Sequence, residues 1–210
     1  MNEIIEFIQK QTIEIYKKKY SRKYITFKIL PIIDYINSSN KKKFLIGGSQ
    51  GVGKSSLIII LKKTLEKFYN KKVLTVRLDN YYLSKNKRIL IANNYHELLI
   101  TRGVPGTHDI KKLIKDVEKF DKNKYPINIP IFDKLIDDTL NYKYKINNKC
   151  NILILEGWCC GCNKINKNYL YKNINTIEKK FDKNFKWRKF YNNKLENDYK
   201  YLFDLFEEKI

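Results

Sequence analysis

The run Lys43-Phe44-Leu45-Ile46-Gly47-Gly48-Ser49-Gln50-Gly51-Val52-Gly53-Lys54-Ser55 constrains this chain more than any other part of it. A short apolar stretch enters the pattern G-x-x-x-x-G-K-[ST], from Gly48 to Ser55, and apolar residues at 57, 58, 61, 65 and 68 then mark an amphipathic helix. Strand, glycine loop and helix in that order form a cradle for a polyphosphate. The loop must turn its backbone N–H groups inward, and glycine tolerates the conformations involved. Lys54 then reaches the terminal phosphates, Ser55 offers a hydroxyl to Mg²⁺, and the helix start presents its positive dipole end. The nucleotide-contacting set is therefore Gly48, Ser49, Gln50, Gly51, Val52, Gly53, Lys54, Ser55 and Ser56, and the expected ligands are a nucleoside triphosphate and Mg²⁺.

Strand and helix signals alternate from there: strand 44–47, helix 54–69, strand 73–78, helices near 85–95 and 110–120, strand 152–156, then polar helical segments to the end. Such alternation predicts parallel strands joined by crossover helices, hence a three-layer α/β fold with ligands at the carboxyl ends of the strands. Residues 1–41 read as a helical N-terminal extension, with Ile4, Ile5, Ile8, Ile13 and Tyr16 near helical spacing, and 42–210 as the nucleotide-binding domain. Two acids follow strands where phosphates must lie. Val73 to Leu78 ends in Asp79, and Ile152 to Leu155 ends in Glu156. Asp79 suits the acceptance of a proton from an attacking hydroxyl, and Glu156 suits the magnesium shell beside Ser55. With Lys54 they form the candidate catalytic set.

The net charge of +21 raises the question of nucleic acid. Only five of the 43 basic residues are Arg, and the lysines are scattered among Asn, Ile and Tyr, which reads as a solvated surface and not a binding patch. Cys150, Cys159, Cys160 and Cys162 lack the paired knuckles of a structural zinc site, and their place around an apolar strand favours packing. No apolar run is long enough to span a membrane, and Glu3 and Glu6 stand where a targeting segment would be basic, so the expected location is the cytoplasm.

Several segments, in order, resemble the P-loop small-molecule kinases, and among them the eukaryotic D-glycerate 3-kinase group that includes a yeast ATP-binding relative. Leu78-Asp79-Asn80-Tyr81-Tyr82-Leu83-Ser84 is similar to that group's S-I-D-D-F-Y-L-T, Arg102-Gly103-Val104-Pro105-Gly106-Thr107-His108-Asp109 to R-G-L-P-G-T-H-D, Ile131-Phe132-Asp133-Lys134 to R-Y-D-K, and Leu155-Glu156-Gly157-Trp158-Cys159 to F-E-G-W-C. The resemblance implies a P-loop NTPase fold and phosphoryl transfer from ATP to a small hydroxylated acid, with Asp79 as base and Tyr82, Arg102, His108, Asp109, Asp133 and Lys134 near the acceptor. It departs in three places. Asn80 replaces a second Asp, Asp137-Asp138-Thr139 replaces a Gly-Asp-Arg element, and the group's pattern runs on past a segment like Leu202 to Leu205, so a C-terminal strand and helix are expected to be missing. Two other readings remain open from sequence: an ATP-binding protein without transferase activity, and a nucleoside or sugar-phosphate kinase of the uridine kinase and phosphoribulokinase type.

Overall fold

The computed structural model describes residues 1–210 and divides into two compact units, each built from separated stretches of sequence. The first comprises Met1–Arg77, Lys149–Cys160 and Phe206–Ile210. It contains helices α1 (Asn2–Tyr16), α2 (Arg22–Tyr24) and α3 (Leu30–Ser38), with a π-helical turn at Ile25–Ile29 joining the last two, then strand β1 (Lys43–Ile46), helix α4 (Lys54–Tyr69) and strand β2 (Val73–Arg77). The second begins with a 3₁₀ turn, Leu78–Tyr81, followed by α5 (Lys85–Asn94), α6 (Ile110–Asp121), β3 (Ile127–Asp133) and β4 (Asp138–Ile146). The chain then returns to the first unit for β5 (Ile152–Glu156) and to the second for α7 (Lys167–Leu170), α8 (Thr176–Phe181), α9 (Lys186–Lys194) and α10 (Lys200–Asp204). It finishes in the first unit with β6 (Glu208–Lys209).

The sheet of the first unit is parallel, in the order β2-β5-β1-β6. Its strands are apolar on both faces because both are covered. Phe44, Ile46, Ile152, Ile154 and Val73 join Ile58, Ile60, Leu61 and Leu65 of α4 in one core, while Leu45, Leu74, Val76, Leu153 and Leu155 on the alternate positions are buried as well. Burying each such side chain contributes on the order of 1.5–3 kcal/mol. No helix of the molecule is long and apolar enough to cross a membrane.

The α/β fold with a parallel sheet flanked by helices is the one read from sequence, and the strands and helices before residue 122 lie within one or two residues of their expected bounds. Residues 1–41, expected as a helical extension, pack into the same core as β1 and α4 through Ile5, Ile8, Ile25, Ile29, Ile33 and Ile36, and the divisions between compact units fall elsewhere. Two elements differ. Residues 127–146 form an antiparallel hairpin where no strand was expected, since Pro130 argues against a strand interior and is accommodated by a register shift between Pro130 and Phe132. At the C-terminal end, a short parallel strand stands where polar helix was expected, with Phe44 opposite Glu208 and Leu45 opposite Lys209.

Gly47 exposes how tightly the end of β1 is packed. A Cβ there would lie 2.3 Å from the carbonyl oxygen of Cys160. Backbone cannot yield as a flexible side chain can, so Gly47→Ala is expected to lower stability by about 1–3 kcal/mol, read as a fall in the urea midpoint at unchanged slope. A midpoint equal to wild type would show that the loop after β5 moves aside without cost.

Candidate active site

In the first unit, β1 and β5 end side by side, with Ile46 opposite Glu156, and β2 ends in the same register, with Arg77 opposite Glu156. The loop leaving β1 takes left-handed backbone at Gly51 (φ 81°) and Gly53 (φ 89°), and Gly53 caps α4 from that conformation. Space around Gly51 is open, so what demands glycine there is backbone angle and not close contact. The Lys54 ammonium folds back to the Ser49 carbonyl at 2.7 Å, which holds its charge over the loop.

Glu156 is the buried member of this constellation, 5% exposed. Ser55 Oγ donates to its Oε1 at 2.7 Å, and Arg77 Nε stands 3.8 Å from the same oxygen. A carboxylate taken out of water needs such compensation. Thus the sequence-expected pair, Ser55 and Glu156, comes together across 101 residues of sequence separation. A hydroxyl and a carboxylate side by side at the mouth of a phosphate loop form a hard oxygen donor set, which fits Mg²⁺. Arg77 is a site residue that the sequence reading did not place, although the rule that pointed to Asp79 also points to the last residue of β2.

The second unit holds the residues expected near an acceptor. Asp79, in the turn after β2, is one-third exposed and pairs through Oδ2 with Lys134 Nζ at 2.7 Å. His108 is buried between two rings: Tyr82 stacks on it at 4.2 Å between centroids, and its Nδ1 lies 2.6 Å from the Tyr199 hydroxyl. Tyr199 also accepts the Gly106 N–H at 3.0 Å, and His108 Nε2 is buried with no hydrogen-bond partner. Nothing in the sequence signals the Tyr199 partnership, formed across 91 residues.

The remaining expected residues have local roles in this structure. Asp109 caps α6, accepting the Lys112 N–H at 3.0 Å. Asp133 accepts the Leu135 N–H at 2.8 Å in the hairpin turn. Arg102 is paired with Asp137, whose other carboxylate oxygen accepts from Arg88 at 2.6 Å. Arg88 is fully buried and also donates to the carbonyls of Leu83, Ile100 and Asp137. Asp137, which stands where the glycerate kinase group has a different element, is the junction of two arginines.

Burial lowers the pKa of His108 from 6.5 to about 3, against a partial opposing effect of the Asp79 charge. The folded imidazole stays neutral while that of the unfolded chain protonates below pH 6.5, so this group costs stability progressively as pH falls from about 6.5 towards 3. The expected loss is about 1.4 kcal/mol per pH unit within that window. His108→Gln, which keeps a partner for Tyr199, should remove this component, seen as a shallower pH dependence of the urea midpoint between pH 6.5 and 4. Identical slopes for the two proteins would contradict a neutral buried ring.

Known proteins are similar to this chain to different extents. The chain is 32% identical over 149 residues to "Probable ATP-dependent kinase TDA10" of Saccharomyces cerevisiae, an alignment covering 64% of this chain and 51% of that protein. It is 30% identical over 122 residues to the pantothenate kinase of Ligilactobacillus salivarius, covering 57% of this chain and 38% of that one. The chain thus spans about half or less of the length of these curated relatives. Among solved structures, D-glycerate 3-kinase from Cryptococcus neoformans var. grubii superposes with a TM-score of 0.68 at 21% identity, over 86% of this chain and 69% of that one, a likeness of fold. Residues 22–186, most of the chain and all of the loop and strand-end geometry described above, match the KAP family P-loop domain, and the chain belongs to that family.

Proposed function

We propose that this protein transfers a phosphoryl group from Mg-ATP to a hydroxyl of a small organic acid, with D-glycerate as the acceptor to test first. The observation that carries the reading is the Asp79–Lys134 pair, an accessible carboxylate with a cation at 2.7 Å, in a chain whose phosphate loop is complete. A phosphate loop alone names a ligand. An acid outside it, two residues beyond a sheet strand, is what an acceptor hydroxyl requires.

When bound, Mg-ATP supplies the phosphoryl donor and the cation that screens its oxygens. Lys54 neutralises phosphate charge and the glycine loop orients it, while Ser55 and Glu156 would hold the metal. Asp79 accepts the acceptor's proton, and Lys134, 60% exposed beside it, fixes the position of that carboxylate and offers a positive charge to an acidic substrate. Catalysis of this kind is mostly positioning and electrostatics.

The choice of an acid as acceptor draws on two named relatives, a D-glycerate 3-kinase and a pantothenate kinase, whose substrates are both hydroxylated carboxylates. The second gives a specific reason to include pantothenate, because that similarity lies in the sequence and not only in the fold.

The test is ADP formation in a coupled assay with Mg-ATP and either D-glycerate or pantothenate. Lys54→Ala is expected to abolish nucleotide binding and turnover. Asp79→Asn is expected to bind ATP as wild type does while losing at least about a hundredfold in acceptor-dependent turnover. Full turnover by Asp79→Asn would remove that residue from the role of base. ATP binding by wild type with no turnover for any hydroxy acid would favour a nucleotide-binding protein that performs no transfer.

A further inference from the structure

Three tyrosines of the N-terminal segment converge on the phosphate loop. Tyr16, the last residue of α1, stacks on Tyr20 with centroids 5.2 Å apart and planes 19° from parallel, and Tyr20 meets Tyr24 of α2 edge to face at 5.0 Å. These three rings, Lys28, and Val52 and Gly53 of the loop line a cavity of about 140 Å³, closed by aliphatic side chains of α3 and α4. The Tyr16 hydroxyl lies 3.4 Å from the point where a Cβ on Gly53 would stand. Cavity and loop are therefore contiguous.

Two features of this cavity suit a ligand better than packing alone. Its rings are not sealed into the core, since Tyr24 is 48% exposed and Val52, at the loop's rim, 62% exposed. Its volume is far below the roughly 300–1,000 Å³ of a site that encloses a whole drug-sized molecule, and is on the scale of one planar heterocycle. A flat aromatic ring can be held by stacking and edge contacts with tyrosines, interactions that need no particular hydrogen-bond pattern. Nothing in the phosphate loop itself binds a base.

We propose that this tyrosine cavity receives the base of the nucleotide whose phosphates the adjoining loop binds, so that α1 and α2 are part of the nucleotide site and not an appendage to it. This rests on the nucleotide reading given above. The ligand class is a purine nucleoside triphosphate, with the base recognised by shape and stacking. Lys28 adds a cation at the same cavity.

Calorimetric titration separates the two claims, using Mg-ATP and Mg-tripolyphosphate, which has the phosphates but no base. Wild type is expected to bind both, ATP more tightly, and Lys54→Ala to bind neither. Tyr20→Leu and Tyr24→Ala should each bind ATP on the order of tenfold more weakly with tripolyphosphate affinity unchanged. Tyr24, being exposed, provides a variant whose folding is not at stake if Tyr20→Leu loses both ligands. Wild-type affinity for ATP in Tyr24→Ala and in a folded Tyr20→Leu, or equal affinity of wild type for ATP and tripolyphosphate, would overturn the base pocket while leaving the phosphate loop intact. Failure of wild type to bind either ligand would overturn the nucleotide reading and this inference with it.

Discussion

A negative charge buried at the end of β5 is the constraint around which the first unit is arranged. Glu156 is costly there unless opposed, and its compensation comes from the hydroxyl that opens α4 and from the guanidinium that closes β2. Three strand ends and a helix start are thereby tied to one carboxylate. Register follows from this, because a slip of one residue in β5 would turn Glu156 to the other face of the sheet. The same contact that ties the start of α4 to the end of β5 sets two hard oxygens side by side.

Arginine and lysine divide their work sharply in this chain. Each of the five arginines has an acidic or amide partner: Arg22 with Asn2, Arg77 with Glu156, Arg88 and Arg102 with Asp137, and Arg188 with Asp182. Two of them, Arg88 and Arg188, are among the most deeply buried large side chains of the molecule, and their forked donors are spent on carbonyls of loops that have no ladder of their own. A planar guanidinium fixes several backbone oxygens at once, which an ammonium does not do. Lysine carries most of the positive charge.

What sequence revealed was local, and what it hid was long-range. The phosphate loop and the acids after β2 and β5 were legible because each is a short word at the end of an apolar run. The hairpin at 127–146 was hidden by Pro130, although Asn141 to Ile146 alternates polar with apolar or aromatic residues at the period of a strand. Likewise, helical spacing near the N-terminus indicated α1 but not that its isoleucines share a core with β1, since periodicity names a buried face and not its partner. Arg102 and Asp133 resembled substrate ligands in their words, yet their side chains have partners inside the second unit. Resemblance transfers a residue's position more safely than its contacts.

The first unit is assembled from three stretches of chain, with β5 reached only after the hairpin and β6 only after the last helices. Its central strand, β1, therefore waits for both neighbours: one lies more than a hundred residues downstream and the other more than a hundred and sixty. Contacts of that separation must recover a large loop-closure entropy before they reward the chain, and parallel pairing makes such steps slow. During synthesis the glycine loop and α4 emerge early, but the strand that presents them has no partner on either edge until most of the chain has followed. The apolar run of β1 is thus the segment most exposed to wrong association while the protein is being made.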